Sequence, residues 1–246
     1  MKSLAPKLVG AAIFLVIWEA IGRSGWLGES FPSLTQIGAV FERPAARELF
    51  VRALRVTASS ALVALSLGAL LAILLSFVAA VLPKLEPGLD ALASCIYAVP
   101  AIAFGPVLIL LSGPEATPIV LGTLSSYFPI HVALSSQLRY GAHAQHELAR
   151  TLGASRFRTF ALVDVPASVP AFLDGLRLAA PAAVLGAVLG EWFGAPRGLG
   201  VIIISALQNV RIPQMWAAAA LCVMCSLLAY FALTEAHRRA VARFAG

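Results

Sequence analysis

Long apolar stretches are the feature that most restricts the fold of this chain. Several of them reach the roughly 20 residues that an α-helix needs to cross the hydrocarbon layer of a membrane. Only α-helices and closed β-barrels satisfy all of their backbone hydrogen bonds in that layer. Hydrophobic residues make up 60% of the 246 positions and charged residues only 12%, against roughly 25% charged in a soluble domain. We therefore predict an all-α, polytopic membrane protein with one transmembrane domain over residues 1–246.

Six membrane spans are predicted from the apolar stretches. Their approximate bounds are 8–21, 56–82, 89–111, 118–136, 171–193 and 215–233. The first is short, and because no small-residue cleavage site follows it we favour a retained helix over a removed signal peptide. Phe31-Pro32-Ser33 then breaks the chain. A short amphipathic helix at the membrane interface is predicted after this break, where apolar residues recur at helical spacing: Leu34, Ile37, Val40 and Phe41.

The distribution of basic residues predicts how the chain lies in the membrane. With both termini in the cytoplasm, 11 of the 18 Lys and Arg residues fall on the cytoplasmic side, as the positive-inside rule requires. This orientation places the polar connection over residues 137–170 in the cytosol. The net charge of +6 is attributed to anchoring at lipid headgroups rather than to nucleic acid, because the arginines are dispersed and no aromatic platform accompanies them.

The cytosolic connection has the pattern of two short helices separated by a turn. Leu148 and Leu152 share one face of the first helix, and Gly153 suits the left-handed conformation that ends a helix. The second helix is predicted over residues 154–163. We expect its simple continuation to be prevented by two prolines, Pro166 and Pro170. A plainer alternative is a cytosolic loop that only joins two spans.

The spacing of this connection resembles a known motif. Glu147-x-Ala149-x3-Gly153-x9-Val163-x-Val165-Pro166 is similar to the EAA loop of permease subunits of binding-protein-dependent ABC importers, whose usual form is E-A-A-x3-G-x9-I-x-L-P. Leu148, Val163 and Val165 depart from that form but keep its apolar or helix-forming character. The sequence Glu191-x6-Gly198-Leu199-Gly200 and the Phe31-Pro32-Ser33 start are also similar to the nitrate/sulfonate/taurine-type subfamily of these permeases.

The resemblance implies a fold, a mechanism and a set of partners. The fold would be that of type I ABC importer permeases (MetI-like), in the bacterial inner membrane, and transport would proceed by alternating access. A cytosolic ABC ATPase dimer would dock on the motif, with these coupling residues: Glu147, Ala149, Arg150, Gly153 and Pro166. Other expected partners are a second permease copy, giving a homodimer, an extracytoplasmic solute-binding protein and membrane lipid.

The resemblance also bears on cofactor and cargo. The chain has no Gly-x4-Gly-Lys-Ser/Thr stretch to cradle phosphates, so we expect ATP and Mg to be bound by the partner ATPase and no cofactor by this chain. The implied cargo is a small anion such as a sulfonate, taurine or nitrate. A pyrimidine or flavin vitamin precursor is the alternative.

Several residues inside the spans are candidates for a solute pathway or gate. Prolines in helices free backbone carbonyls, which are tolerated where they face other helices or a watery cavity; these prolines are Pro100, Pro106 and Pro181. Glu191 is an acid at a membrane boundary, followed by a turn that contains Gly198 and Gly200. His131 would meet an anion or relay a proton. The alternatives are an interfacial acid beside Trp192 and a histidine bonded to a neighbouring carbonyl.

Other classes of membrane protein have weaker support. His146-Glu147 is not followed by the second histidine of a zinc protease, and no Gly-x-Ser-x-Gly elbow is present. An ion-coupled transporter would usually carry more acids inside its spans and an inverted repeat. Cys222 and Cys225 are three apart but have no nearby His, Asp or Glu, which favours apolar packing over metal binding. We therefore predict neither catalytic nor metal-ligating residues.

Overall fold

The computed structural model describes residues 4–140, 147–149 and 151–244. The described part is helical, and a turn of 3-10 helix, Val40–Glu42, and a π-helical segment, Phe160–Asp164, interrupt the α-helices. In chain order the helices are α1 (Leu4–Ser24), α2 (Leu34–Ala39), α3 (Pro44–Val81), α4 (Glu86–Ala98), α5 (Ala101–Ser112), α6 (Thr117–Tyr140), α7 (Arg156–Thr159), α8 (Val165–Glu191), α9 (Leu199–Gln208) and α10 (Ile212–Phe244).

Four helical stretches among the described residues are long and apolar enough to cross a membrane. They are Pro44–Val81, Thr117–Tyr140, Phe157–Glu191 and Ile212–Ala242. Helices α4 and α5 would add a fifth if they form one span, although they are bent by 96° at the break between them. Helix α1 covers the first predicted span and is 21 residues long, but it is not among these four or five, so its membrane role stays a prediction.

Small residues bring α3, α6 and α8 into close contact. A Cβ added at Gly186 of α8 would lie 2.7 Å from the Cα of Gly122 in α6. Around this contact the buried side chains are mostly alanines, including Ala64, Ala183 and Ala187. Small residues are the usual solution in membranes, where helices associate by close packing because lipid is as apolar as the side chains themselves.

Helix α2 confirms the helix predicted after Phe31-Pro32-Ser33. The Ser33 side chain accepts a hydrogen bond from the Gln36 backbone N–H while the Gln36 side chain accepts one from the Ser33 N–H, which is a capping box. Its apolar face packs inside the chain, because Ile37 is buried in a cluster with Phe50, Leu199 and residues of α10. Just before the start of α2, the Trp18 ring N–H donates to the Pro32 carbonyl over 3.1 Å, which connects α1 to this segment.

The prolines divide into those that break a helix and those that do not. Pro100 immediately precedes α5 and marks the 96° bend, so the third predicted span is broken rather than straight. The expectation that Pro166 and Pro170 prevent continuation is wrong, because the helix runs on from Phe157 to Glu191. The π segment explains this: the Val165 N–H donates to the Phe160 carbonyl, five residues back, and Pro166 then stands in the first turn of α8, where proline is tolerated.

Candidate coupling segment and buried polar networks

The predicted coupling motif contains a helical turn that ends at Gly153. Residues 147–149 and 151 are helical, and Gly153 has a φ of +73°. The Ala154 N–H donates to the Ala149 carbonyl over 2.9 Å. This bond spans five residues, as in the Schellman motif of a helix that ends at a glycine. The left-handed helix end predicted for Gly153 is therefore confirmed. Arg150 lies outside the described residues.

We name the predicted motif, residues 147–166, the coupling segment. Its outer surface is apolar and open. Leu148, Leu152 and Phe157 are 60%, 77% and 80% exposed, and Glu147 is exposed beside them. A Cβ added at Gly153 would meet no atom within 4 Å, so nothing in the described chain covers this position. Ala149 faces the other way, with only 8% of its surface exposed. The segment thus presents large hydrophobic side chains that the described chain itself leaves uncovered.

Aromatic packing connects the π segment to the membrane helices. The Phe160 ring meets Phe77 of α3 edge-on, with 5.5 Å between ring centroids. Pro166 lies at the start of α8, immediately beyond this segment. A displacement of the π segment would therefore displace residues of α3 and α8 that are in contact with it or follow it directly.

Glu191 forms the first buried polar network, at the end of α8. Its side chain is 1% exposed, and its Oε1 accepts a 2.7 Å hydrogen bond from the Thr57 hydroxyl of α3. Its Oε2 accepts a 2.7 Å bond from the Gly200 backbone N–H. The Thr57 hydroxyl in turn accepts from the Leu199 N–H over 2.9 Å. Glu191 and Thr57 together satisfy two of the free N–H groups at the start of α9.

Close contacts exclude a side chain at the two glycines of the predicted turn. Gly198 has a φ of +145°, and any Cβ there would collide with the Glu191 carboxyl group. A Cβ at Gly200 would collide with the Val188 carbonyl oxygen and lie 3.0 Å from Glu191 Oε2. The structure thus brings together three of the pathway candidates, Glu191, Gly198 and Gly200. Their arrangement also shows what the sequence did not indicate, the bridging role of Thr57.

His131 forms the second network, between α3, α4 and α6. The side chain is buried, its Nδ1 lies 3.0 Å from the Ser76 hydroxyl, and its Nε2 lies 3.1 Å from Asp90 Oδ1. Asp90 Oδ2 accepts a 2.6 Å bond from Arg139, which also pairs with Glu86. His131 is thus neither alone nor bonded to a backbone carbonyl. The sequence around His131 does not indicate Asp90 or Glu86, because both lie on α4, about 40 positions earlier in the chain.

A cleft of about 840 Å³ lies where this network approaches the coupling segment. Residues of the network form one part of its wall, among them Ser76, Glu86 and Arg139. Other lining residues belong to the coupling segment: Ala154, Phe157, Thr159 and Phe160. Pro100 does not line it. Within the described ranges, no group of three His, Cys, Asp or Glu residues is placed to hold a metal ion.

The chain matches a family model over residues 72–243, a range that includes α4 to α10 and the coupling segment. The model describes the inner membrane component of binding-protein-dependent transport systems. The chain belongs to this family. It is therefore a multi-pass permease subunit of a bacterial inner-membrane ABC importer and not itself an enzyme.

Relatives of this permease are similar over most of their length. A probable ABC transporter permease protein of Haemophilus influenzae is 34% identical, over 95% of each chain. The formylaminopyrimidine transport permease ThiX of Halalkalibacterium halodurans is 30% identical, over 95% of this permease and 93% of that protein. A putative aliphatic sulfonates transport permease, SsuC of Bacillus subtilis, is 30% identical over 84% and 75%.

A solved structure of the MetNI methionine ABC transporter in inward-facing conformations confirms the MetI-like, all-α fold. The TM-score is 0.68 at 20% identity, and the match covers 80% of this permease and 99% of the other chain. At this identity the likeness concerns the fold alone.

Proposed function

We propose that this permease moves a small solute into the cell by alternating access, driven by a cytosolic ATPase dimer that docks on the coupling segment. The exposed apolar surface of this segment carries the proposal. Leu148, Leu152 and Phe157 are large, hydrophobic and more than half exposed, and the open, left-handed Gly153 lets another surface approach the end of the helix. Glu147 adds a charge at the edge, and Arg150 is proposed to add another.

The energetic requirement is a difference between two packings of the spans. ATP binding moves the docked surfaces, and the permease follows only if its two conformations bind those surfaces with different free energies. Phe160 and Pro166 stand between the docking surface and the membrane helices, since Phe160 contacts Phe77 of α3 and Pro166 begins α8. Ala149 supports the docking helix from its buried side.

The remaining partners complete one transport system. A second copy of this permease supplies the other half of the pathway, a solute-binding protein delivers cargo at the outer face, and ATP and Mg are held by the ATPase. Both termini lie in the cytoplasm. Lipid covers the exposed apolar faces of the spans, as expected where side chains such as Leu110 and Leu228 are 87% and 68% exposed.

The cargo we propose is a small anion such as a sulfonate, taurine or nitrate. The similarity to SsuC supports it, together with the Glu191 to Gly200 arrangement. A pyrimidine precursor is the second candidate, supported by the similarity to ThiX over nearly the whole of both chains. Arg139, which lines the cleft, does not decide between them, since it is already paired with two carboxylates.

The test is uptake into proteoliposomes that contain the permease, its ATPase and its binding protein. We expect ATP-dependent uptake of a labelled alkanesulfonate in preference to a labelled aminopyrimidine. Gly153→Leu places a bulky side chain in the left-handed position on the docking surface and should abolish uptake and co-purification of the ATPase. Gly28→Leu is the matched control, because Gly28 also has a positive φ and open surroundings but lies between α1 and α2.

Three results would count against parts of the proposal. Normal uptake and normal ATPase association in Gly153→Leu would contradict docking at this segment. Preference for the aminopyrimidine would leave the docking intact but replace the proposed cargo with the second candidate. Equal losses in Gly153→Leu and Gly28→Leu would show general misfolding instead of a specific docking contact, and would equally contradict the assignment.

A further inference from the structure

Helix α4 is attached to the rest of the permease through polar side chains and through Ala93, which packs in a hydrophobic cluster with residues of α3, α6 and α8. Ala93 is its one buried residue, and much of the remaining helix surface is exposed. Glu86 and Asp90, four residues apart and therefore on one face of α4, both contact Arg139 of α6. Asp90 also contacts His131. A single aromatic stack, Tyr97 on Phe128 with 4.1 Å between centroids, adds to this attachment at the other end of the helix.

The same polar cluster is continuous with the coupling segment. From the π segment, Phe160 contacts Phe77 of α3. The neighbouring Ser76 bonds to His131 Nδ1, and His131 Nε2 reaches Asp90 of α4. The step from Phe77 to Ser76 follows the backbone of α3 and the other steps are side-chain contacts, so the coupling segment is connected to α4 through α3 and α6.

The cleft gives this chain of contacts room to rearrange. Its lining includes Glu86 and Arg139 of the cluster together with Phe157 and Thr159 of the coupling segment. Arg139 and Glu86 are 38% and 28% exposed as side chains. Ion pairs that border such a space can exchange partners or take up water, whereas tight apolar packing has few alternative arrangements. π-helical turns, like the one that holds Phe160, also tend to occur at functional sites.

We propose that Glu86, Asp90, His131 and Arg139 form a polar latch, which couples α4, and with it the bent α4–α5 pair, to movement of the coupling segment. All four are positioning residues. The inference rests on the proposed function, since it assumes that ATP moves the coupling segment. It assigns His131 a role in transmitting motion instead of binding solute.

The latch is tested by separating ATP hydrolysis from uptake in the reconstituted transporter. Arg139→Gln and Asp90→Asn should retain ATPase association and hydrolysis but lose uptake by roughly fivefold or more, the range of ordinary coupling between sites. Arg177→Gln is the matched control, because Arg177 is a similarly accessible arginine paired with Asp174 in its own helix. It should transport normally. The exchange Glu86→Arg with Arg139→Glu should restore part of the uptake that Arg139→Glu alone removes.

A distance measurement gives a readout that a purely structural role would not move. Cys95 is exposed on α4 and Ser155 is exposed in the coupling segment. Spin labels at Cys95 and at Ser155→Cys, with Cys222 and Cys225 replaced by alanine, report whether the two segments move together. With ATP analogue bound or absent, the distance distribution should stay narrow in the otherwise native permease and in Arg177→Gln, and broaden in Arg139→Gln.

The outcomes separate the latch from the function on which it rests. Normal uptake and a narrow distribution in Arg139→Gln and Asp90→Asn would overturn the latch while ATP-driven transport stands. Loss of ATPase association in both variants, with no rescue by the charge exchange, would also overturn it in favour of a general folding role. Absence of ATP-dependent uptake by the native permease would overturn the proposed function, and the latch with it.

Discussion

Thr57 uses one hydroxyl group to join three helices. It donates to Glu191 at the end of α8 and accepts from the Leu199 N–H at the start of α9, while its own backbone belongs to α3. A buried carboxylate is stabilised only when its oxygens are hydrogen-bonded, and the first N–H groups of a helix need acceptors from outside that helix. Here the oxygens of Glu191 and Thr57 accept from the first N–H groups of α9, and the Thr57 hydroxyl donates to Glu191. These bonds explain how a glutamate can be only 1% exposed.

This arrangement predicts a large effect of a small change. Thr57→Val keeps the side-chain shape but leaves the Leu199 N–H and one Glu191 oxygen without their partner, which should destabilise the permease by roughly 1–3 kcal/mol. Thr234→Val is the control, because the Thr234 hydroxyl donates to the Tyr230 carbonyl of its own helix. Thermal unfolding in detergent measures both. Equal melting temperatures for the two variants would contradict the bridging role of Thr57.

At the scale of elements, the contact between α6 and α8 depends on the absence of side chains. Gly122 and Gly186 face each other so closely that a Cβ on Gly186 would lie 2.7 Å from the Leu121 carbonyl oxygen as well as from Gly122. Helix α8 can approach this closely along its length because the π turn carries the chain past Pro166 without ending the helix. Helix α8 therefore has the π segment immediately before its first residue and Glu191 as its last.

The close contact predicts the effect of adding one methyl group. Gly186→Ala should push α8 away from α6 and lower stability by about 1–3 kcal/mol, the usual result of overpacking. Gly88→Ala, in a helix position where a Cβ meets nothing within 4 Å, should be neutral or slightly stabilising because alanine favours helix. Melting temperatures of the purified variants decide this. If Gly186→Ala melted no lower than Gly88→Ala, the close approach of the helices would not matter energetically.

At the scale of the whole molecule, we predict the orientation in the membrane from three predicted spans between residues 29 and 155. An odd number of crossings would place these two positions on opposite sides, and the excess of basic residues predicts a cytosolic position 155. The coupling segment must be cytosolic to meet an ATPase. A test of the side of the membrane on which it lies is therefore also a test of the proposed function.

Labelling of single cysteines tests this orientation. In a permease without its native cysteines, a membrane-impermeant maleimide should modify Glu29→Cys in intact spheroplasts and Ser155→Cys only after the membrane is opened. Both positions are exposed in the fold, so reactivity reports the side of the membrane and not burial. The reverse pattern would contradict the cytosolic position of the coupling segment and of both termini.

The sequence alone determined the local features of the coupling motif and the class of protein. The spacing from Glu147 to Pro166 identified the family, and Gly153 indicated its left-handed helix end, because both depend on neighbouring residues along the chain. Composition and the length of the apolar stretches indicated the all-helical membrane fold, because these too are properties of the chain that do not depend on which distant residues meet. The helix after Phe31-Pro32-Ser33 was likewise predictable from its local pattern.

Only the tertiary structure decided which distant residues meet. Nothing local to Glu191 indicates Thr57, 134 positions away, and nothing near His131 indicates Ser76 or Asp90. The continuation of the helix through Pro166 also depended on a π turn that the proline pattern does not reveal. Apolar and helical signals repeat along the chain, whereas a buried polar group is satisfied by whichever partner the packed helices place within hydrogen-bond distance, and that placement exists only in the assembled fold.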